Sequence, residues 1–461
     1  MYLLRQKFLV AGISKSGVAS ASLLLKHGAT VYIYDDVENE LVEKSIQDLV
    51  EQGAMRVDTA QLEKMAEICD VLVLSPGIPI DHSLPILFKR RKKRIIGEME
   101  LGCQFLHNTN IAVTGTNGKT TIVTMIDNIL KAEGMSSVAC GNIGLPLCSV
   151  VEELDKNALA VLEVSSFQLE TLYSLVPHIY VVSNITEDHL NRHYTMENYI
   201  FLKNKPMRWM RESEFAVLNY DDSNVRAFGE QVKCNIVYFS MNNVVDGGYI
   251  RDNSIYYFDE KIMSVNDLSL KGKHNIQNAL AAICAAKIMG VSNASILSSL
   301  KSIKGVRHRF EKIAEFDGIT YINDSKGTNV DATITAIEQL DREGVLLLGG
   351  QDKGYNYNTL FEKIKESGIV HTVLYGENRY KLLQSAIQCN ESKITLCADF
   401  ALAVKIAQMT AKKGQVVLLS PASSSLDAFK NYEERGETFE RLVLESMPKI
   451  EEKVACASSE E

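Results

Sequence analysis

Ile111-Ala-Val-Thr-Gly-Thr-Asn-Gly-Lys-Thr-Thr121 is the stretch that decides the fold. It passes from a short β-branched run at 111–114, through two glycines, into residues 120–133, where apolar positions recur at helical spacing. A strand, a glycine loop and a helix in that order make a phosphate cradle. Gly115 and Gly118 let the loop aim backbone N–H groups at phosphate oxygens, and the helix N-terminus adds positive potential. Lys119 is placed to reach the β- and γ-phosphates of a nucleoside triphosphate, and the Thr120 hydroxyl to ligate Mg²⁺. A strict Walker A pattern has glycine where this chain has Val113, so the loop is a variant. The expected ATP contacts are Gly115, Thr116, Asn117, Gly118, Lys119, Thr120 and Thr121.

The same alternation continues on both sides. Apolar runs at 8–11, 30–34, 71–74, 159–164, 179–184, 345–348, 373–375 and 416–420 are separated by longer amphipathic stretches such as 18–27. This predicts an α/β fold of right-handed βαβ units, with mainly parallel sheets covered by helices. Ligands then belong at the carboxyl ends of the strands. Three blocks separate as predicted domains: 1–107, closing on a polar stretch; 108–304, opening with the phosphate loop; and 305–461, beginning after a helical run at 294–303 and ending in an acidic tail.

At 461 residues the chain has room for about three domains and several cores. Hydrophobic residues at 46% and charged ones at 23% argue against long disordered tracts. A net charge of −9 disfavours nucleic-acid or anionic-membrane binding by the whole chain. No stretch approaches the roughly 20 apolar residues of a transmembrane helix. The nine cysteines are odd in number and never form C-x-x-C, which reads as reduced thiols in a cytoplasmic protein.

Two strand ends flank the phosphate loop. Glu163 ends one run, and Asn184-Ile-Thr-Glu-Asp-His189 ends the next. A carboxylate and an imidazole there are suited to holding Mg²⁺ beside phosphates. The first block has its own glycine loop, Gly12-Ile-Ser-Lys-Ser-Gly17, with Asp35 and Asp36 ending the following strand. Ser14 replaces the middle glycine of a dinucleotide fingerprint, so a nucleotide-diphosphate site is expected rather than NAD. Ser75-Pro76-Gly77 is a turn facing the same crevice. Lys89-Arg-Arg-Lys-Lys-Arg94 is read as a solvated helix end in an otherwise acidic protein, with assistance to capture of the nucleotide as a secondary idea.

Taken together the motifs resemble the Mur ligase family, the ATP-dependent amide ligases of peptidoglycan precursor synthesis. The resemblance spans nearly the whole chain. It is carried by Gly115–Thr120, Gly141-Asn-Ile-Gly144, Ser165-Ser-Phe-Gln-Leu-Glu170, Thr186-Glu-Asp-His189, His274-Asn275 with Asn278, His308-Arg-Phe-Glu311, Asn323-Asp-Ser-Lys326 with Thr328-Asn329, and Ser420-Pro-Ala-Ser-Ser-Ser-Leu-Asp427. The segments at 165–170, 308–311, 323–329 and 420–427 are similar to those of the D-glutamate-adding members. The diamino-acid-adding members, folylpolyglutamate synthetases and a non-catalytic nucleotide switch are the rival readings.

The resemblance implies three domains, Rossmann-like, P-loop ATPase and Rossmann-like. It implies an ADP-forming ligation of D-glutamate to UDP-N-acetylmuramoyl-L-alanine through an acyl phosphate, by a monomer, with two Mg²⁺ ions. Thr120, Glu163, His189 and a carbamylated lysine would hold the metals. Lys203, four residues after Tyr199, is the expected modified residue, with Lys205 its rival. Asn275 and Asn278 are implied on the adenine side, Arg309 and Asp324 at the phosphates or ribose, and Lys326 at the transition-state charge. Asn142 and His308 would lie near the muramoyl-alanine carboxylate. Lys119, Lys203, His308 and Lys326 form the implied catalytic set. Ser14, Lys15, Ser16, Asp35, Asp36, Ser75, Gly77, Asn142 and His189 are the expected contacts of the UDP substrate. Val37 stands where relatives carry a cation, leaving Lys15 or Ser16 to serve the diphosphate. Two carboxylates on D-glutamate call for a cation and hydroxyls, assigned to Lys353, Thr328 and Ser425, with Leu426 and Tyr432 lining the pocket.

Overall fold

Alternating apolar runs and amphipathic helices build three sheets in a computed structural model that describes residues 5–37 and 40–446. The acidic tail and Cys456 lie outside the described residues. The chain divides into two compact units, Met1–Lys304 and Gly305–Glu461.

The first unit carries two sheets. One holds β1 (Lys7–Ala11), β2 (Thr30–Tyr34), β3 (Met55–Arg56), β4 (Val71–Leu74) and β5 (Arg94–Gly97), all parallel, in the order β3-β2-β1-β4-β5. The order reverses between β1 and β4, which opens a crevice at their carboxyl ends. The other holds β6 (Asn110–Thr114), β7 (Ser137–Gly141), β8 (Leu159–Glu163), β9 (Ile179–Val182), β10 (Phe215–Asn219), β11 (Asn235–Ser240), β12 (Gly247–Arg251), β13 (Ser254–Tyr257) and β14 (Glu260–Ser264). Its order is β14-β13-β12-β11-β10-β9-β6-β8-β7, parallel from β7 to β12 and antiparallel beyond. β6 therefore sits between β9 and β8, with its sequence neighbour β7 one strand further out, and the phosphate loop leaves it at the switch point.

Period-two alternation sorts β6 side chains to opposite faces. Ile111 and Val113 pack with Ile122, Ile126 and the alanine-rich helix Lys273–Ile288, whereas Ala112 packs with Leu162, Tyr180 and Val182 on the other face. That second core is continuous with Phe8, Val10, Val31 and Ile33 of the first sheet. One apolar core thus serves both sheets, which explains why they form one unit. Each fully buried aliphatic side chain contributes about 1.5–3 kcal/mol to it.

The second unit has β15 (Glu311–Phe316), β16 (Ile319–Asn323), β17 (Gly344–Gly349), β18 (Ile369–Tyr375), β19 (Ile394–Leu396) and β20 (Val416–Leu419). The order is β15-β16-β20-β17-β18-β19, parallel except for the β15–β16 hairpin. Leu346 and Leu348 face one apolar layer, Val345 and Leu347 the other.

Among the described residues no helix is long and apolar enough to cross a membrane, and all eight cysteines are free thiols. The basic run ends the helix Ser83–Arg90. Arg91 pairs there with Glu63 and Glu67 at 3.3 and 3.2 Å, and Lys93 donates to the Glu67 carbonyl. Cations at a helix carboxyl end offset its terminal dipole.

Candidate active site

Gly118 opens the helix Lys119–Ala132 in the left-handed region, at φ 86°. A Cβ there would stand 2.3 Å from Oδ1 of Asn278, and one on Gly115 would stand 1.9 Å from the Ser183 hydroxyl. Both glycines are therefore required by close approach as well as by backbone freedom. The segment after β9 braces the loop. Asn184 accepts from the Asn117 N–H at 2.8 Å through Oδ1, Ser183 donates to the Asn117 carbonyl at 2.6 Å, and the Thr116 hydroxyl donates to the Thr186 carbonyl at 3.1 Å. Lys119 Nζ donates to the carbonyls of Gly115 and Thr116 at 2.9 and 2.7 Å, so its ammonium lies over the loop.

Glu163 is 1% exposed, and both its oxygens are engaged. The Thr120 hydroxyl donates to Oε2 at 2.8 Å and the Asn142 amide to Oε1 at 2.8 Å. Hydroxyl, carboxylate and carboxamide, from the start of the helix Lys119–Ala132 and from the ends of β8 and β7, thus meet beside the phosphate loop. Among the described residues no group of three or more His, Cys, Asp or Glu could hold a metal. A single carboxylate with a hydroxyl nonetheless suits Mg²⁺, which takes its remaining oxygens from phosphates and water. His189 sits on a left-handed residue after β9, with its ring 4.6 Å from that of Phe167 and Nε2 3.4 Å from Asp188.

The two candidate lysines separate cleanly. Lys203 is 1% exposed, and its Nζ donates to the Gly115 carbonyl at 2.7 Å, directly beneath the phosphate loop. Burial, reinforced by the charge of Lys119, holds its pKa well below the ordinary lysine value. Lys205 turns elsewhere, donating to the Leu169 carbonyl at 2.9 Å with its ammonium over the Tyr173 ring. Asn278 is brought against the loop, while Asn275, one helical turn earlier, donates to the Lys271 carbonyl at 2.8 Å.

At the crevice of the first sheet, Ser14 caps the helix Lys15–Lys26 without a side-chain bond to it, and its hydroxyl lies 3.3 Å from that of Ser75. The helix N-terminus, with Lys15 and Ser16, opens towards this edge. Asp35, an expected contact of the UDP substrate, also has a structural task. Its two oxygens accept from the backbone N–H groups of Ile13 and Val37 at 2.5 and 2.9 Å, which fixes the turn, whereas Asp36 and Gly77 are exposed.

In the second unit, Asp324 is buried after β16 and accepts from the Ser420 hydroxyl at 2.7 Å and the Phe310 N–H at 3.1 Å. Burial pushes its pKa up to about 7. His308 is 3% exposed, and its Nδ1 accepts from Asn323 Nδ2 at 3.0 Å, which leaves the proton of the neutral ring on Nε2. Burial keeps that ring below the usual imidazole pKa. The Lys326 ammonium lies 4.8 Å from the Tyr432 ring centre and that of Lys353 5.7 Å from Tyr355. Ser425 is buried, Thr328 and Arg309 are half-buried, and Leu426 is 60% exposed.

Arg435 is a residue the motifs did not reveal. It is fully buried and donates to the carbonyls of Ser325, Ser423 and Ser424 at 2.8, 3.2 and 3.2 Å and to the Ser325 hydroxyl at 3.0 Å. It thereby ties the loop after β16 to the loop after β20. Arg435→Met leaves those carbonyls unmet, and is expected to cost about 3 kcal/mol or more. Chemical denaturation of the variant against the parent measures this loss.

The chain matches two family profiles, the Mur ligase middle domain over residues 113–286 and the Mur ligase, glutamate ligase domain over residues 308–423. It is 38% identical to "UDP-N-acetylmuramoylalanine--D-glutamate ligase" of Thermoanaerobacter sp. (strain X514), covering 96% of this chain and 99% of that one. The protein of the same name from Pelotomaculum thermopropionicum is 39% identical, covering 95% and 98%. The solved structure of MurF ligase from Thermotoga maritima in complex with ADP shares the fold, with a TM-score of 0.61 at 18% identity over 97% of this chain and 100% of that one. A phosphate loop braced from β9, a buried strand-end carboxylate and these full-length likenesses lead to one statement: the chain belongs to the Mur ligase family.

Proposed function

We propose that this protein joins D-glutamate to UDP-N-acetylmuramoyl-L-alanine in the cytoplasm, cleaving ATP to ADP and phosphate. The observation that carries the reading is the buried Glu163 carboxylate, held between the Thr120 hydroxyl of the phosphate loop and the Asn142 amide. It supports the reading because Glu163 offers a carboxylate oxygen suited to Mg²⁺ beside the phosphate loop, with the Asn142 amide as a polar neighbour. The choice of D-glutamate rests on the names of relatives that are alike over nearly the whole chain.

A carboxylate is a poor electrophile, so amide formation needs it activated, here as an acyl phosphate by transfer of the γ-phosphoryl group. The loop N–H groups and Lys119 bind and orient the phosphates. Thr120, Glu163, His189 and Lys203 as its carbamate are the residues that would hold Mg²⁺. When bound, Mg²⁺ would neutralise charge on the transferring phosphoryl oxygens. A buried, neutral Lys203 amine is the form that attacks CO₂, losing a proton to give the carbamate. Its place under the loop supports it over Lys205. Lys353, Thr328, Ser425 and Tyr432 of the second unit offer the cation and hydroxyls for D-glutamate, with Leu426 beside them and Lys326 to steady developing charge.

Phosphate release from ATP in the presence of UDP-N-acetylmuramoyl-L-alanine tests the reading. Release is expected with D-glutamate and not with L-glutamate, meso-diaminopimelate or no amino acid. Release with another of these amino acids overturns the acceptor, and release with none overturns the ligase reading.

A further inference from the structure

Three residues beyond His189, Arg192 uses its whole guanidinium. Nε and Nη2 donate to the two oxygens of Glu170 at 3.0 and 2.6 Å. Nη1 donates to the carbonyls of Pro76 and Gly77 at 2.8 and 3.3 Å, and Nη2 to that of Ile78 at 3.2 Å. Five N–H groups meet five acceptors, the full capacity of the side chain. The Arg192 and Glu170 side chains are only 10% and 5% exposed. The guanidinium carbon also lies 4.2 Å from the centre of the Phe167 ring, the ring that packs against His189. Buried His193 lies near the same carboxylate, but burial and the Arg192 charge push its pKa down to about 4. The charge of Glu170 is therefore answered by Arg192.

The acceptors belong to two different places. Glu170 ends the short helix Ser166–Glu170 of the central sheet, whereas residues 76–78 form the turn after β4 in the first sheet. That turn carries Ser75, which meets Ser14 at the glycine-loop crevice. Arg192 is not needed merely to hold the sheets together. They already share an apolar core, and Gly97 and Gly102 let backbone approach Thr171 and Leu147 at the same junction. The arginine sits at the carboxyl edge of the strands, where ligands bind.

We propose that Arg192 is a positioning residue that sets the spacing between the nucleotide crevice of the first sheet and the phosphate loop of the second, so that one sugar-nucleotide spans both. The inference rests on the ligase reading above. A substrate held by its nucleotide at one end must present its carboxyl group at the other, and an error of about 1 Å in such placement costs on the order of 100-fold in rate. Arg192 acts by holding the turn at 76–78 and the Phe167–His189 pair at a fixed separation. A lysine cannot replace it, because one ammonium offers three donors and no planar fork.

Binding of UDP and of UDP-N-acetylmuramoyl-L-alanine to the full-length protein, measured by calorimetry, tests the proposal, alongside steady-state kinetics. In Arg192→Lys the affinity for the complete sugar-nucleotide is expected to fall about tenfold or more, with KM for that substrate rising in parallel. Affinity for UDP alone, and KM for D-glutamate, should stay within about threefold. Glu170→Gln, which keeps shape and removes the charge, should show the same split to a smaller degree and serves if Arg192→Lys does not fold. Equal weakening of UDP and the complete substrate, or no weakening of either, overturns the proposal. Failure of the ligase reading shows separately, as absence of D-glutamate-dependent phosphate release in the unsubstituted protein.

Discussion

Lys119→Ala is expected to abolish D-glutamate-dependent phosphate release, lowering kcat by about 10³-fold or more, in a protein that keeps its fold. The lysine is half-buried, and its two bonds to Gly115 and Thr116 are local to the loop. Each such bond contributes roughly 1 kcal/mol net, so their loss is small beside the stability of a unit this size. What disappears is the loop ammonium that, in the proposed reading, meets the γ-phosphate. The braces from Ser183, Asn184 and Thr186 stay in place, so the loop N–H groups keep their directions. Circular dichroism and the thermal midpoint should match the parent. Ordinary turnover by a folded Lys119→Ala protein would remove the ATP site from this loop.

Lys203→Ala is expected to lower kcat by about 10²- to 10³-fold, whereas Lys205→Ala should retain turnover to within about tenfold. The contrast follows from their surroundings. Lys203 is sealed under the phosphate loop against the Gly115 carbonyl, and Lys205 points to the carbonyl of Leu169. Replacing Lys203 also removes one of the two ammonium donors of the Gly115 carbonyl, leaving only that of Lys119, at a cost of about 1–3 kcal/mol, so the kinetics must be referred to folded protein. The carbamate has its own signature. With ¹³C-labelled bicarbonate, a carbamate carbon resonance should appear in the parent and in Lys205→Ala and vanish in Lys203→Ala. Loss of both signal and turnover in Lys205→Ala instead would transfer the assignment to that residue.

The strands that place the site were legible, because a buried parallel strand must be apolar on both faces. The runs at 111–114, 159–164 and 179–184 became β6, β8 and β9, and the runs at 345–348 and 416–420 became β17 and β20. β12 and the antiparallel β13 and β14 beyond it escaped notice. Their mixture of tyrosine, charge and glycine suits a half-exposed edge and lacks the uniform apolar signal. Single residues were harder. Glu163 could be named because it ends a strand beside a phosphate loop. Arg435 stands in a helix of charged neighbours, Tyr432–Glu445, and nothing local marks it as the buried one. The segment 165–170 was recognised by resemblance, and its chemistry emerged only in three dimensions. Ser165 and Gln168 cap the helix reciprocally, the Ser166 hydroxyl lies 2.9 Å from His193 Nε2, Phe167 packs on His189, and Glu170 meets Arg192. Long-range partners of this kind leave no trace in spacing.

The continuous core beneath the first two sheets has a consequence for how the chain is made. Phe8, Val10 and Ile33 emerge from the ribosome first, yet they share their apolar layer with Tyr180, Val182 and Leu218. At about 5–20 residues per second, synthesis from residue 33 to residue 218 takes roughly 10–40 s, during which that layer is covered only in part, by helix residues such as Leu23, Leu24, Ile46 and Leu49. The nascent chain therefore presents sticky surface for far longer than a self-contained domain of about 100 residues would, and chaperone engagement during translation should concentrate on this interval. Ending the chain after the first sheet would leave that surface open for good, so such a fragment is a poor candidate for independent expression.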